Sequence, residues 1–351
     1  FGILLVLIDM ARDAFGRGRP APENPWKAGT LEWIPNDDYA TRSIPHVRSL
    51  YPLWDNPNLS REVQEGAHYL PGAPTRRRET IVTSPIEARP QYLMPMPGPH
   101  WSHFLAGLFT AAHFICLAVQ LYWVSLVPGV LAIASVFWWV WSLDKGADHP
   151  PQDVGGGWRV PVYLQGSENH SWWGTAVLLL VDGTAFACLC FTYVFLWTVS
   201  PDVWPTGTDS LPGLGWLLGE AALWVVAAGA MLLASRAVAG NRSWAMRGLL
   251  LAGLLLMLAA AVAEPYNHIG SGLVASESAY GAIVYMLASW QVFHVVILVL
   301  MTGLALARSF AGRLHARRRV TFDNVMLVWL YTCGQGVVSL LLVHLFPRLA
   351  V

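Results

Sequence analysis

Trp172–Val199 reads WWGTAVLLLVDGTAFACLCFTYVFLWTV, 28 residues in which Asp182 is the single charged side chain. Crossing the roughly 30 Å hydrocarbon core of a bilayer takes about 20 apolar residues in a helix, so this run reads as a transmembrane span. Working outward, the same reading finds further spans at His100–Val124, Ser125–Leu143, Trp216–Arg236, Trp244–Ala263, Ala279–Ala307 and Asn324–Phe346. Ser125–Leu143 is the shortest, because Pro128 and Gly129 predict a tight turn at Val127–Gly129. Tryptophans 101, 123, 172, 173, 197, 216 and 244 gather near span ends, as rings with a wet N–H and an apolar body do. Gly219, Gly229, Ala234, Gly248 and Gly253 are small enough to let neighbouring helices approach.

Composition agrees with this class. Of 351 residues, 55% are hydrophobic and 13% charged, which argues against a soluble chain of two domains. A formal net charge of zero gives no sign of nucleic-acid binding. The basic residues are sorted by side: 21 of the 22 Lys and Arg lie in segments that alternate spans would leave on one face, and Arg348 alone breaks the pattern. Basic loops resist translocation, so the N-terminal segment is expected in the cytoplasm and the C-terminus outside.

Residues 1–12 begin apolar and only then turn charged at Asp9 and Arg12, the reverse of a signal peptide. They read as the end of one further transmembrane helix, and the chain as part of a longer polypeptide. Residues 13–99 are rich in proline and charge, with no lasting helical or strand period. Trp26, Trp33, Tyr39, Tyr51 and Trp54 speak against a bare linker, so an extended strap docked by its aromatic side chains is expected there. Residues 100–351 form the expected seven-helix bundle, giving an all-α membrane protein.

Four cysteines, at 116, 188, 190 and 333, all lie inside spans without a CxxC pair, and read as small apolar residues rather than disulfides or metal ligands. Asp182 must be paired, hydrated or protonated, because an ionised carboxylate at that depth costs about 2.5 kcal/mol or more. A proton-linked or lipid-head site and a neutral carboxyl bonded to Thr184 or a neighbouring helix are both open. Glu264 is expected at the outer interface facing water, and Glu220 near a helix N-terminus gains from the helix dipole. His113 and His294 lie near mid-bilayer and could together hold a b-type haem, although hydrogen-bonded structural histidines are the simpler expectation. No phosphate-binding loop, nucleophile elbow or HExxH motif occurs.

Asn24-Pro25-Trp26-Lys27-Ala28-Gly29-Thr30-Leu31-Glu32-Trp33 resembles the C-terminal tail of subunit I of haem–copper oxidases, where an N/D-P-W-x-x-x-T-L-E-W stretch follows the last transmembrane helix; seven of its ten positions match in order. Ile44-Pro45 and Tyr51-Pro52-Leu53-Trp54-Asp55 look like the continuation of that tail. The seven-span part resembles subunit III of the same enzymes: Ser171-Trp172-Trp173-Gly174 is similar to the family's S-x-W-G, and Ala279-Tyr280-Gly281 with Phe293-His294-Val295 to its V-Y-G…HG-x-HV helix. Asp182 stands where the family has a glutamate, Gln291 where it has the first His, and the final helix lacks the family's W-H-F-x-x-D. Glu264 looks like the Glu of an E-Y element, with Pro265 inserted before Tyr266.

The resemblance implies a fused subunit I–subunit III polypeptide of a bacterial inner-membrane oxidase that passes electrons from cytochrome c, or quinol, to oxygen and translocates protons. It implies haem and copper on helices upstream, no metal or cofactor site in this stretch, and bound phospholipid in a cleft between the first two spans and the other five. Asp182, His294, Glu264 and Trp173 become the lipid- or proton-linked candidates. Trp26, Leu31, Glu32, Trp33 and Trp54 become docking residues for the catalytic helices, and subunit II is a further implied partner. Two competing functions remain: a proton-coupled secondary transporter working through Asp182, and a di-histidine membrane cytochrome. Against the transporter, the spans show no inverted repeat and no pair of Gly/Pro-broken segments.

Overall fold

The computed structural model describes residues 2–15, 24–34, 45, 47–65, 67, 79–84, 86–95, 100–143, 150–162, 169–205 and 213–349. Among the described residues, six helices are long and apolar enough to cross a membrane: Tyr122–Ser142, His170–Val199, Leu214–Ala239, Ser243–Gly270, Ala279–Phe310 and Val320–Leu349. A further apolar helix, Ser102–Ala118, is shorter at 17 residues. The chain is a multi-pass membrane protein of the all-α class. It divides into two compact units, Phe1–Tyr163 and Leu164–Val351.

The first unit opens with α1 (Gly2–Ala14), whose apolar residues Ile3 to Ile8 are exposed. Asn24 then folds the following turn on itself: its amide donates to Ala28 O and its Oδ1 accepts from Ala28 N, both at 2.9 Å. Trp54, on α2 (Pro52–Asp55), lies flat across Gly29, where an added Cβ would come within 2.6 Å of the indole; its Nε1 donates to Lys27 O at 2.9 Å. Tyr51 stacks on Trp54 at 4.6 Å and Trp26 meets Trp33 edge-on at 5.1 Å. A short helix α3 (Leu59–Gln64) follows, with Leu59 and Val63 buried. Ile44 and Tyr39 lie outside the described residues.

More is folded here than an extended strap. Strands β1 (Glu79–Thr83) and β2 (Pro90–Pro95) pair antiparallel, with the prolines at the two ends of β2, where a missing N–H costs least. Leu93 reaches Pro161 O through its backbone N–H at 2.9 Å, beside the small sheet of β3 (Gln152–Asp153) and β4 (Arg159–Val160). Leu93, Val160 and Val162 form a closed apolar core with Ile81 and Val154 against it. Period-based reading misses this, because strands of two to six residues carry no lasting period.

Helices α4 (Ser102–Ala118) and α5 (Tyr122–Leu143) form a hairpin whose turn lies at Val119–Leu121, not at Val127–Gly129. Leu121 N bonds Cys116 O at 2.8 Å and Gln120 N bonds Leu117 O at 3.0 Å, the paired closure of a Schellman motif. Gln120 takes the left-handed position at φ 63° that glycine usually fills, which hides the turn from sequence. Pro128 sits inside α5 instead. His113 of α4 bonds Ser125 O at 2.8 Å; a carbonyl only accepts, so Nδ1 carries the proton. Its ring also fills the space beside Gly129, where a Cβ would meet Nδ1 at 3.0 Å.

The second unit holds α6 (His170–Val199), α7 (Leu214–Ala239), α8 (Ser243–Gly270), α9 (Ala279–Phe310) and α10 (Val320–Leu340), which runs through a wide π turn at Leu341–Leu345 into α11 (Phe346–Leu349). Asn169 caps α6, accepting from Trp172 N at 3.0 Å, and Ser278 caps α9 through Gly281 N at 3.0 Å. α10 touches α6, α7 and α9. Its fully buried Trp329 donates to Ala227 O at 3.0 Å and lies so close to Gly253 that a Cβ there would come within 2.7 Å of the ring. Trp224 crosses Gly336 in the same way, at 2.6 Å. Gly253 and Ala234 thus serve helix approach as expected, while Gly219, Gly229 and Gly248 have open space where a Cβ would point.

Candidate functional site

Two polar clusters sit inside the second unit, and α10 runs through both. The first centres on Asp182 of α6. Its Oδ2 accepts from Tyr331 Oη at 2.6 Å and Gln335 Nε2 at 3.2 Å, and faces His294 Nε2 at 3.0 Å. Gln335 Nε2 also donates to Tyr331 Oη at 2.6 Å. His294 Nδ1 lies 2.8 Å from Trp290 O, so that nitrogen carries a proton. One more proton then lies between Nε2 and Asp182, on one or the other. The pair is either imidazolium with carboxylate or neutral imidazole with carboxylic acid; both hold the same proton number. His294 is nearly buried at 4% exposure, whereas the Asp182 carboxyl keeps 21%. The partner is therefore a neighbouring helix; Thr184 is turned to Val181 O at 2.6 Å.

The second cluster overturns the expected place of Glu264. Rather than ending at Ala263, α8 continues past Pro265 to Gly270, and Glu264 is a helical residue with only 13% side-chain exposure. It does not face open water. His268, one turn on, points Nε2 at Oε1 across 3.0 Å, and His344 of the π turn points Nε2 at both carboxylate oxygens, also at 3.0 Å. The two imidazoles stack with centroids 5.4 Å apart and planes 5° from parallel, buried at 2% and 0%. Glu220 of α7, expected as a simple dipole partner, is buried at 4% and lines the same cavity as Glu264.

That cavity, of about 20 Å³, has room for a water molecule and is lined by Glu220, Glu264, Gln291 and Ser339 among apolar side chains. Several of its polar atoms have no hydrogen-bond partner among the described residues: Glu220 Oε2, both amide atoms of Gln291 and Ser339 Oγ. Tyr331, Gln335 and Ser339 recur every four residues on α10, so one face of that helix carries polar groups from the Asp182 cluster toward the Glu264 cluster. Thirteen residues separate Tyr331 from His344, roughly 20 Å of helix rise.

Of the four intramembrane candidates, Asp182 and His294 meet directly, and Glu264 belongs to the other cluster. Trp173 joins neither. It lies nine residues before Asp182 on α6, roughly 13 Å along the axis, half exposed and edge-on to Trp172 at 5.2 Å. Of the docking candidates, Trp26 is 74% exposed, Trp54 60% and Leu31 41%, Glu32 is exposed, and Trp33 is half-buried against Trp26. Tyr331 and Gln335 escaped the sequence reading, which saw His344 as a histidine within a span and His268 as an interfacial or loop one without joining either to Glu264. The spacing of Glu264 to His268, and of Tyr331 to Gln335 and Ser339, was the available signal.

No family model matches the chain, and no curated protein matches it.

Proposed function

We propose that this chain is the C-terminal part of a haem–copper terminal oxidase, the tail of a subunit I-like half followed by a subunit III-like accessory bundle. The observation that carries this reading is the Asn24–Trp33 stretch: it follows an apolar helix, matches the subunit I tail, and closes as a compact turn on Trp54 of the matching Tyr51–Asp55 segment. Its exposed Trp26, Leu31 and Trp54 suit a tail that docks on catalytic helices. The contact of Asp182 with His294 supports the subunit III half, since both stand at positions the resemblance marks. The haems and copper, on upstream helices, would carry electrons from cytochrome c or quinol to oxygen; no residue of this chain is assigned to hold them. This part covers a flank of the catalytic helices, binds phospholipid and supports oxygen access and proton uptake, with Asp182 and His294 sharing a proton. The one-sided basic loops support a strap on the cytoplasmic side of a bacterial inner membrane and a C-terminus on the periplasmic side.

The test is purification of the native full-length polypeptide through a C-terminal tag, followed by a reduced-minus-oxidised spectrum and oxygen uptake. Haem bands with cyanide-sensitive oxygen consumption are expected, together with co-purifying subunit II. A haem-free preparation without oxygen uptake would sink the reading, and substrate-driven uptake into liposomes would favour the transporter. The di-histidine cytochrome is poorly served: both nitrogens of His294 are committed, to Trp290 and to Asp182.

A further inference from the structure

We propose that Glu264, His268 and His344, with Glu220 beside them, form a binding site for one divalent transition-metal ion of the zinc type, a site independent of the oxidase metals. The three ligating groups offer atoms that all lie within 4.8 Å of one another. Both imidazoles turn the same nitrogen, Nε2, toward one carboxylate at 3.0 Å. Ligand atoms around a tetrahedral zinc with bonds of about 2.05 Å are roughly 3.3 Å apart, so small side-chain movements would admit an ion between them. Two histidines and a carboxylate form a set that zinc uses with a fourth position open. Imidazole donors favour zinc and its neighbours over magnesium or calcium, which prefer oxygen.

Glu220 supplies the second, independent observation. It is 96% buried, since 4% is exposed, and its Oε2 lines the cavity beside Glu264 with no partner among the described residues. Two carboxyls set together in an apolar bundle cannot both ionise without compensation. One divalent cation held by Glu264 and two neutral imidazoles, with the Glu220 carboxylate beside it, brings the set to zero net charge, the state a low-dielectric interior favours. Arg348 stands one turn beyond, its guanidinium bonded to the His344 carbonyl. Tyr280 and Tyr285 add neutral phenols nearby; the Tyr285 ring packs at 6.2 Å from His268 while its hydroxyl donates to Leu273 O.

The elements explain why such a site would form. Glu264 and His268 share one face of α8 at a spacing of four, as helical ligand pairs do. The π turn at Leu341–Leu345 carries His344, whose Nε2 meets the Glu264 carboxylate, while Val343 lines the cavity with Ser339. Bound there, the ion would tie the start of α7, the end of α8 and the end of α10 together, a clamp at one end of the bundle.

The test is metal content of the full-length protein purified in detergent, loaded with Zn²⁺ and dialysed, with Co²⁺ as a visible probe. About one equivalent of zinc is expected in the wild type, and Glu264→Gln and His344→Asn should each weaken binding at least about tenfold, as loss of a ligand does. Asp182→Asn, in the other cluster, should retain the full equivalent. Cobalt should give the visible bands of a four-coordinate nitrogen and oxygen set. A wild type that retains no zinc and shows no such bands overturns the proposal, as do folded ligand variants that keep zinc as well as the wild type. Should a variant fail to fold, the wild-type cobalt spectrum decides alone. Zinc is counted apart from iron and copper, so a failed oxidase assignment would leave this result readable.

Discussion

Asp182 and Glu264 are both carboxyls facing histidines within one helix bundle, but the first site is closed and the second is open. Asp182 Oδ2 collects three partners from two other helices, and two of those partners bond each other. Its histidine has both nitrogens engaged. Around Glu264 the ratio inverts: there are two carboxyls, two stacked imidazoles, a cavity, and buried oxygens and nitrogens without partners among the described residues. Redundant bonding makes the first cluster tolerant and suits it to shuffle one proton. Spare bonding capacity makes the second dependent on its central carboxylate and suits it to an added ion.

The largest effect therefore belongs to Glu264→Ala. That change strips the acceptor from two imidazoles buried at 2% and 0%. A buried donor left unmatched costs about 1–3 kcal/mol, so two give a loss of roughly 2–4 kcal/mol once the cavity hydrates part of the site. Asp182→Ala should cost less, about 1 kcal/mol, because Gln335 and Tyr331 keep their mutual bond and the carboxyl keeps 21% exposure. Thermal unfolding in detergent with a chelator present measures both. If Asp182→Ala proves the more damaging, the contrast between open and closed clusters fails.

Much of this was legible beforehand. Long apolar runs such as Trp172–Val199 and Ala279–Ala307 exceed what a bilayer demands and declare themselves as spans, whereas Ser102–Ala118, at 17 residues, falls short of the six long helices. Turn chemistry was less legible, because Gln120 occupies a left-handed position and Pro128 is carried within α5. The clearest loss was the second cluster. Pro265 reads as a helix end, yet α8 continues through it, bringing Glu264 to His268. His344 could not have been placed from period alone, since it lies in a π turn that departs from the 3.6 period. Asp182 was visible as an isolated charge, but its partners were not: a 3.6 period says which face they share and not which helix they meet.

Asp182→Asn separates proton storage from packing. Because Nδ1 of His294 is tied to Trp290 O, a neutral ring can accept from the asparagine amide through Nε2. All three partners meet the same Oδ2, so an amide turned to His294 no longer accepts from Tyr331 and Gln335, and stability should fall by about 1 kcal/mol. The shared proton does not survive. On the oxidase reading, oxygen uptake should then start normally and decline progressively over many cycles, measured in an oxygen electrode against wild type. Turnover that stays level would assign Asp182 to packing and remove the functional half of the contrast.

Tyr331→Phe should have the smallest effect. It deletes the 2.6 Å bond to Asp182 and the acceptor of one Gln335 hydrogen, but Gln335 Nε2 remains 3.2 Å from the same carboxyl and His294 remains at 3.0 Å. Hydrogen bonds inside membrane bundles are worth about 0.6 kcal/mol on average, and a redundant one should lie near or below that. The counterpart in the other cluster is His344→Phe, which leaves Glu264 with His268 alone while keeping a ring against it, and should cost more. Equal losses in the two variants would mean that redundancy does not protect the Asp182 network. Its three donors would then act as a single unit, and Tyr331 would be as necessary to proton storage as the carboxyl it touches.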